Sequence, residues 1–166
     1  MADTSSFDIT STIDFQEVDN ALNQARKEVG QRYDFKGATA NIDLNAAEKT
    51  LTLTTSDEMK MNALWEIVQT RLVRRGVAVK NFKAGESQPA AGGTIRRAIA
   101  IQSGIPIETA KEIVKFIKEK KLKKVQATIQ ADQVRVSSPS KDELQGAMKA
   151  LREHDFGVAL QFGNYR

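Results

Sequence analysis

Residues 106–136 read PIETAKEIVKFIKEKKLKKVQATIQADQVRV, and the change of period inside this stretch decides the fold. Its first half spaces Ala110, Ile113, Val114 and Ile117 as the apolar stripe of a helix. Lys111, Lys115 and Lys118 fall on a neighbouring face, and Lys120, Lys121, Lys123 and Lys124 follow at the helix end. The period then drops to two. Val125, Ala127 and Ile129 alternate with Gln126, Thr128 and Gln130, and beyond Ala131-Asp132 comes Gln133-Val134-Arg135-Val136. The pattern predicts a lysine-rich helix, a basic turn and a two-strand hairpin with one polar face. An anionic partner is to be sought here first.

Working outward, Thr94–Gln102 alternates as a strand before the helix, and Ser103-Gly104-Ile105-Pro106 leads in with Pro near the first turn. After the hairpin (Val125 to Ser137), Ser140 with Glu143 forms a capping box for a helix that buries Leu144, Ala147, Met148 and Leu151. Val158–Phe162 closes the unit as a strand. The order is βαββαβ. The first half of the chain repeats it. Ser6–Ile13 alternates as a strand, and Asp14 with Glu17 opens a helix carrying Phe15, Val18, Leu22, Ala25 and Val29. Arg32-Tyr33-Asp34-Phe35-Lys36-Gly37 is a basic-aromatic turn. Ala38–Leu44 and Lys49–Thr55 read as strands, Ser56 or Asp57 caps a helix bearing Met61, Leu64, Trp65, Val68 and Leu72, and Val77–Phe82 is a strand. Lys83–Gly93 has no apolar period and contains Pro89 and three glycines, the composition of a linker or mobile loop.

Two successive βαββαβ runs predict an α+β fold: a tandem of two ferredoxin-like, RNP-like antiparallel sandwiches. The expected boundaries are residues 1–83 and 94–166, joined by a linker at 84–93. Exchange of terminal strands between two such related halves is sterically cheap, and the sequence leaves it open.

Composition narrows the function classes. Hydrophobic residues make up 40% and charged residues 28% of 166 residues, as in an ordinary globular chain. No apolar run approaches the length of a membrane span. The start MADTSSFDITSTIDFQE lacks the basic and apolar segments of a signal peptide, so a cytoplasmic location is expected. Without cysteine there are no disulfides and no thiolate nucleophile. The net charge of +4 is unevenly spread. Residues 1–93 hold 11 Lys/Arg against 13 Asp/Glu, and residues 94–166 hold 14 against 8, which favours an anionic partner on the second half.

Catalysis finds little support. The one histidine, His154, sits at a helix end where the dipole accounts for a cation. No P-loop or dinucleotide fingerprint occurs, and the carboxylate pairs Asp57-Glu58 and Asp142-Glu143 lie at helix starts, where negative charge is favourable anyway. The expectation is a non-enzyme without cofactor or metal. The RNA-stacking signature of an ordinary RRM is also missing from both hairpins. Phe7, Tyr33, Phe35, Phe82, Phe162 and Tyr165 lie outside helices, and about half of them should be core by the usual burial of aromatic residues. A small phosphorylated ligand needs less: cations for phosphate, amides for base edges and one ring for stacking. Arg32, Tyr33, Phe35 and Lys36 form one such set. Gln126, Gln130, Arg135, Gln161, Asn164 and Arg166 form another, provided the hairpin and the last strand are sheet neighbours.

SFDITSTIDFQEVDNALNQARKEVGQRYDFKG, PAAGGTIRR, KEIVKFIKEKKLKKVQATIQADQVRV, KDELQ and LQFGNYR resemble the YajQ family of small bacterial nucleotide-binding proteins over essentially the whole chain. The resemblance implies tandem RNP-like ferredoxin folds and binding of nucleotides and RNA. It also implies, for some members, a cyclic di-GMP receptor that acts through a transcription factor or another protein. Carried over, the family's characteristic positions are Phe7, Arg32, Tyr33, Phe35, Lys36, Lys121, Lys124, Gln126, Gln130, Arg135, Gln161, Phe162, Asn164 and Arg166. Two departures stand out: Ala131 where a hairpin glycine is usual, and Ser138-Pro139 where a Gly-Lys-type turn is usual. The resulting expectation is a nucleotide-binding protein taking cyclic di-GMP, GTP or ATP. Arg32, Lys36, Arg135 and Arg166 would contact phosphates, Gln126, Gln130 and Gln161 would read base edges, and Tyr33 or Phe35 would stack. An RNA- or tRNA-binding module is the first alternative, and a protein-interaction domain without a nucleotide ligand is the second.

Overall fold

The structure, a computed structural model, describes residues 4–120, 122 and 124–166. Its strands are β1 (Ser5–Thr10), β2 (Ala40–Asn45), β3 (Thr50–Thr55), β4 (Phe82–Ala84), β5 (Gln88–Pro89), β6 (Ile95–Ile101), β7 (Gln126–Gln130), β8 (Gln133–Ser138) and β9 (Gln161–Gly163). Its helices are α1 (Phe15–Gln31), α2 (Glu58–Arg74), α3 (Ile107–Glu119) and α4 (Lys141–Glu153). They form two antiparallel sheets with the order β2-β3-β6-β4 and β7-β8-β1-β9. In each, a hairpin lies beside the strand that starts a βαββαβ run and a short strand closes the far edge, which is the ferredoxin-like arrangement.

The first strands are traded between the runs. β1 pairs with β8 and β9, while β6 pairs with β3 and β4. The compact units are therefore Ile13–Gln102 and the combination of Met1–Thr12 with Ser103–Arg166, not contiguous halves divided at 84–93. The segment Lys83–Gly93 belongs inside the first of these. Lys83 and Ala84 pair with β6, as do Gln88 and Pro89, and the Gly85 N–H donates to the Ala98 carbonyl at 2.9 Å. Backbone pairing of this kind needs no apolar period, so composition alone reads as a linker.

In the Ile13–Gln102 unit, the alternation of Leu51 and Leu53 with Thr50, Thr52 and Thr54 turns the leucines inward and leaves the threonines on the outer face. The leucines meet Leu22, Leu64, Leu72 and Ile99 in one core. Asp14 caps α1, accepting from the Gln16 and Glu17 N–H groups. The Glu17 carboxylate does not return to the cap. It takes two hydrogen bonds from Arg75 at 2.8 and 3.2 Å, while Arg71 pairs with Glu28 at 2.8 Å, so two ion pairs join α1 to α2. The strand expected at Val77–Phe82 is instead a short 3-10 turn at Val79–Asn81 followed by β4.

In the other unit, Phe7, Ile9, Val134 and Val136 face the helices and pack with Ile113, Ile117, Leu144 and Leu151. Ser140 caps α4 by accepting from the Glu143 N–H at 3.3 Å. Ala131 supplies the left-handed conformation that the β7–β8 turn requires, with φ of 53°. At Gly104, φ is 91° and a Cβ would lie 2.6 Å from the Asp132 Oδ2, so glycine is required on both counts.

Candidate functional site

The sequence-derived residues fall into two groups, one in each unit. In Ile13–Gln102, α1 ends at Arg32 and the chain makes a 3-10 turn over Tyr33–Phe35. The two rings of that turn differ in exposure, though both line one cleft. Tyr33 is 88% exposed, whereas Phe35 is 4% exposed and sits in the core, so only Tyr33 has a face to offer a base. Beside it lies a cleft of about 550 Å³ whose cationic linings are Arg26, Arg32 and Lys36. Gly30, Gly37 and Ala38 line it with small groups. Its lining carries no carboxylate.

The cations of the cleft are not equally available. Arg32 donates to Asp34 at 3.0 and 2.9 Å and lies 3.7 Å from a Glu28 oxygen. The Asp34 hydrogen bond raises the Arg32 pKa, and the same bond holds the Asp34 carboxyl below its usual range. Arg26 is anchored by two hydrogen bonds to the Ile42 carbonyl and one to Asn23. Lys36 is exposed, with no hydrogen bond or ion pair of its side chain among the described residues.

The second group lies on the sheet β7-β8-β1-β9. Gln126, Thr128 and Gln130 form an exposed row on the outer face of β7, directly opposite Ser137, Arg135 and Gln133 of β8. The hairpin and the last strand are not neighbours, because β1 lies between them. That insertion brings in a residue the sequence reading passed over. Asp8, 6% exposed, stands opposite Arg135 on the outer face. Arg135 donates to its two oxygens at 2.9 and 3.4 Å, and Asn164 donates at 2.6 Å. The Arg135 hydrogen bond drives the Asp8 pKa down, against the opposing effect of burial. In S-F-D-I-T the alternation puts Asp8 on a polar face, but only the pairing of β1 with β8 shows which one.

Two other residues of this group, Gln161 and Phe162, are committed elsewhere, and Arg166 is held by its backbone. The Gln161 amide bridges Thr10 and Thr12, accepting from the Thr10 hydroxyl and the Thr12 N–H at 3.2 Å and donating to the Thr12 carbonyl at 3.0 Å. Phe162 faces the helices, edge-on to Phe7 at 5.8 Å and under the Arg152 guanidinium at 5.1 Å. Arg166 and Ser6 exchange two backbone hydrogen bonds. Asp8 pairs with Gly163 while Ser6 meets Arg166, so the last strand holds one extra residue. Asn164, with φ of 53°, takes up that bulge. Lys124 is exposed at the turn before β7, also with a positive φ. Lys121 lies outside the described residues.

The one histidine belongs to neither surface. His154 packs its ring against Phe116 and Phe156, at 4.8 and 4.4 Å. Among the described residues no group of three or more His, Cys, Asp or Glu is placed to hold a metal, and no helix is long and apolar enough to cross a membrane.

Two ferredoxin-like sheets, one beside a cleft lined by cations and one with a polar outer strand face, define the class of protein by its fold, a two-unit α+β sandwich. The comparisons give its family. The family described as "Nucleotide-binding protein YajQ-like" matches residues 5–166, and the chain belongs to that family. A protein of Carboxydothermus hydrogenoformans called "Nucleotide-binding protein" is 48% identical over 166 residues, covering all of both chains. One of the same name from Chloroherpeton thalassium is 45% identical over the same span, also covering all of both chains. Another, from Solibacter usitatus, is 48% identical over 161 residues, which is 97% of this chain and 96% of that one.

Proposed function

We propose that this chain is a cytoplasmic, non-enzymatic nucleotide-binding protein whose ligand seats in the cleft after α1. The observation that carries this reading is Tyr33, its ring exposed beside a cleft of about 550 Å³ lined by Arg26, Arg32 and Lys36 without a carboxylate. A base stacks on Tyr33, and the phosphates face Lys36 and the outer edge of Arg32. Asp34 fixes the Arg32 fork, so little side-chain freedom is lost on binding. The cleft volume suits a ligand of two nucleotides, which favours a cyclic dinucleotide such as cyclic di-GMP over a single GTP or ATP. Signal output would then pass to a transcription factor or another protein partner.

A second reading, RNA binding, is favoured by the exposed row Gln126, Thr128 and Gln130 beside Arg135, with Lys124 at its rim. That face presents amides and a cation but no ring, because Phe7 and Phe162 point to the helices. Calorimetric titration with cyclic di-GMP, GTP, ATP and a short single-stranded RNA at two salt concentrations separates the readings. Saturable, salt-tolerant heat from cyclic di-GMP that disappears in Tyr33→Ala supports the cleft. Heat from RNA alone, falling steeply with salt, moves the function to the strand face. No heat from any ligand overturns both and leaves a protein-interaction domain.

A further inference from the structure

Each sheet ends in edge strands whose outward N–H and C=O groups can pair with another chain. Most of these edges are blunted. Arg26 closes the centre of β2, its guanidinium donating to the Ile42 carbonyl at 3.1 and 2.6 Å. The edge strands β4, β5 and β9 are three residues long or shorter, and β9 runs into the bulge at Asn164. β7 differs. Its five residues, Gln126–Gln130, contain no charge, no proline and no bulge.

The backbone of β7 has a fixed phase. The two-residue turn Ala131-Asp132 makes Gln130 and Gln133 a hydrogen-bonded pair, so Thr128 and Gln126 also bond inward to β8. The N–H and C=O groups of Ala127 and Ile129 therefore point out of the sheet. No hydrogen bond reaches either residue from outside the hairpin among the described residues. The sequence around them is its own complement. Laid antiparallel on a second copy about Thr128, Ala127 meets Ile129, Gln126 meets Gln130, and Lys124 meets Asp132. Both Lys124 and Asp132 are exposed, and neither has an ion pair among the described residues.

We propose that the β7 edge pairs with a second copy of this chain, antiparallel about a two-fold axis at Thr128, joining two four-stranded sheets into one. In this register the outward groups match, and Ala127 of each copy exchanges two hydrogen bonds with Ile129 of the other. A slip of one residue mismatches them, and a slip of two parts Lys124 from Asp132. The two Lys124 residues lie about 27 Å apart at about 3.4 Å per residue, well beyond a Debye length of about 8 Å. α3 packs on β7 and β8 and turns Phe116 toward His154 at the end of α4. Ile107 lies about 180° away around α3, on the side of the β7 edge, and is 54% exposed. Lys111 and Lys118 share that side, with stems long enough to lean their ammonium groups into solvent. Five residues a side make a small interface, so the dimer should be reversible.

Sedimentation of the full-length chain over a concentration series should show a monomer–dimer equilibrium. In Thr128→Lys two ammonium groups would meet across the axis, at a Cα separation of about 4.5 Å, and the protein should stay monomeric with its circular dichroism unchanged. Thr128→Asp should behave alike, and an equal mixture of the two should dimerise again. Ala127→Pro removes one outward donor per copy without touching a bond to β8, and should weaken the dimer on the order of tenfold. The chain holds no cysteine, so under mild oxidation Thr128→Cys should give a disulfide-linked dimer. Gln126→Cys, level with Gln130 of the second copy, should not. A wild type that is monomeric at every concentration overturns the proposal and leaves the edge to a foreign strand. A dimer that survives Thr128→Lys, a mixture that stays monomeric, or equal cross-linking of the two cysteine variants overturns it as well.

Discussion

Asp8 and Arg135 face each other across β1 and β8, 127 residues apart in sequence, and share hydrogen bonds of 2.9 and 3.4 Å. Because Arg135 lowers the Asp8 pKa, the contact stabilises the fold fully above the ordinary carboxylate value of 3.8 and is lost as pH falls through the still lower folded value. Acid unfolding followed by circular dichroism should therefore carry a component from this pair. In Asp8→Asn that component disappears, the variant being less stable at neutral pH and closer to wild type in acid. An unchanged acid profile would show that the pair adds no stability.

The opposite fates of Tyr33 and Phe35 give a paired prediction. Phe35→Ala empties a core position and should cost about 3–4 kcal/mol in chemical denaturation. Tyr33→Ala should stay within about 0.5 kcal/mol of wild type. It should nonetheless weaken nucleotide binding at the cleft by about tenfold or more, the loss of one stacking ring. The reverse pattern would place the ligand elsewhere.

Ala131 and Gly104 both hold left-handed backbone, and substitution should act on them in opposite directions. Ala131→Gly relieves a conformation that costs an L-residue about 1 kcal/mol, so the thermal midpoint should rise by a few degrees. Gly104→Ala adds the same strain and drives a methyl against the Asp132 carboxylate, so it should destabilise by about 2 kcal/mol or more.

The exchanged first strands predict which fragments fold. Residues 13–102 contain a complete four-stranded core with α1 and α2, and should give a cooperative thermal transition and dispersed amide spectra. A fragment of residues 1–93, the contiguous half, lacks β6 from the middle of its sheet and should not.

The elements themselves were legible because burial imposes its period locally. Leu51 and Leu53 between threonines, or Ile113 and Ile117 among lysines, need no knowledge of their partners. Strand partnership was not legible in this way. SSFDIT and IRRAIAI are both competent first strands, and the choice between two similar sheets is set by contacts far away in sequence. The candidate site was half legible for the same reason. Arg32, Tyr33 and Lys36 sit in one short turn, and the structure gathers them. Phe35 was misplaced because a 3-10 turn, unlike a strand or an α-helix, gives no period by which to sort inward from outward rings. Asp8 was missed because its partner Arg135 comes from the other end of the chain. Gln161 and Phe162 looked available only because the position of β1 beside them was unknown.

The trade of first strands also imposes an order of assembly. As the chain is synthesised from its N-terminus, β1 emerges first, yet its partners β8 and β9 emerge last. The Ile13–Gln102 unit has all its strands once Gln102 has been made, while the interior strand Ser5–Thr10 has its partners only when the chain has reached Gly163.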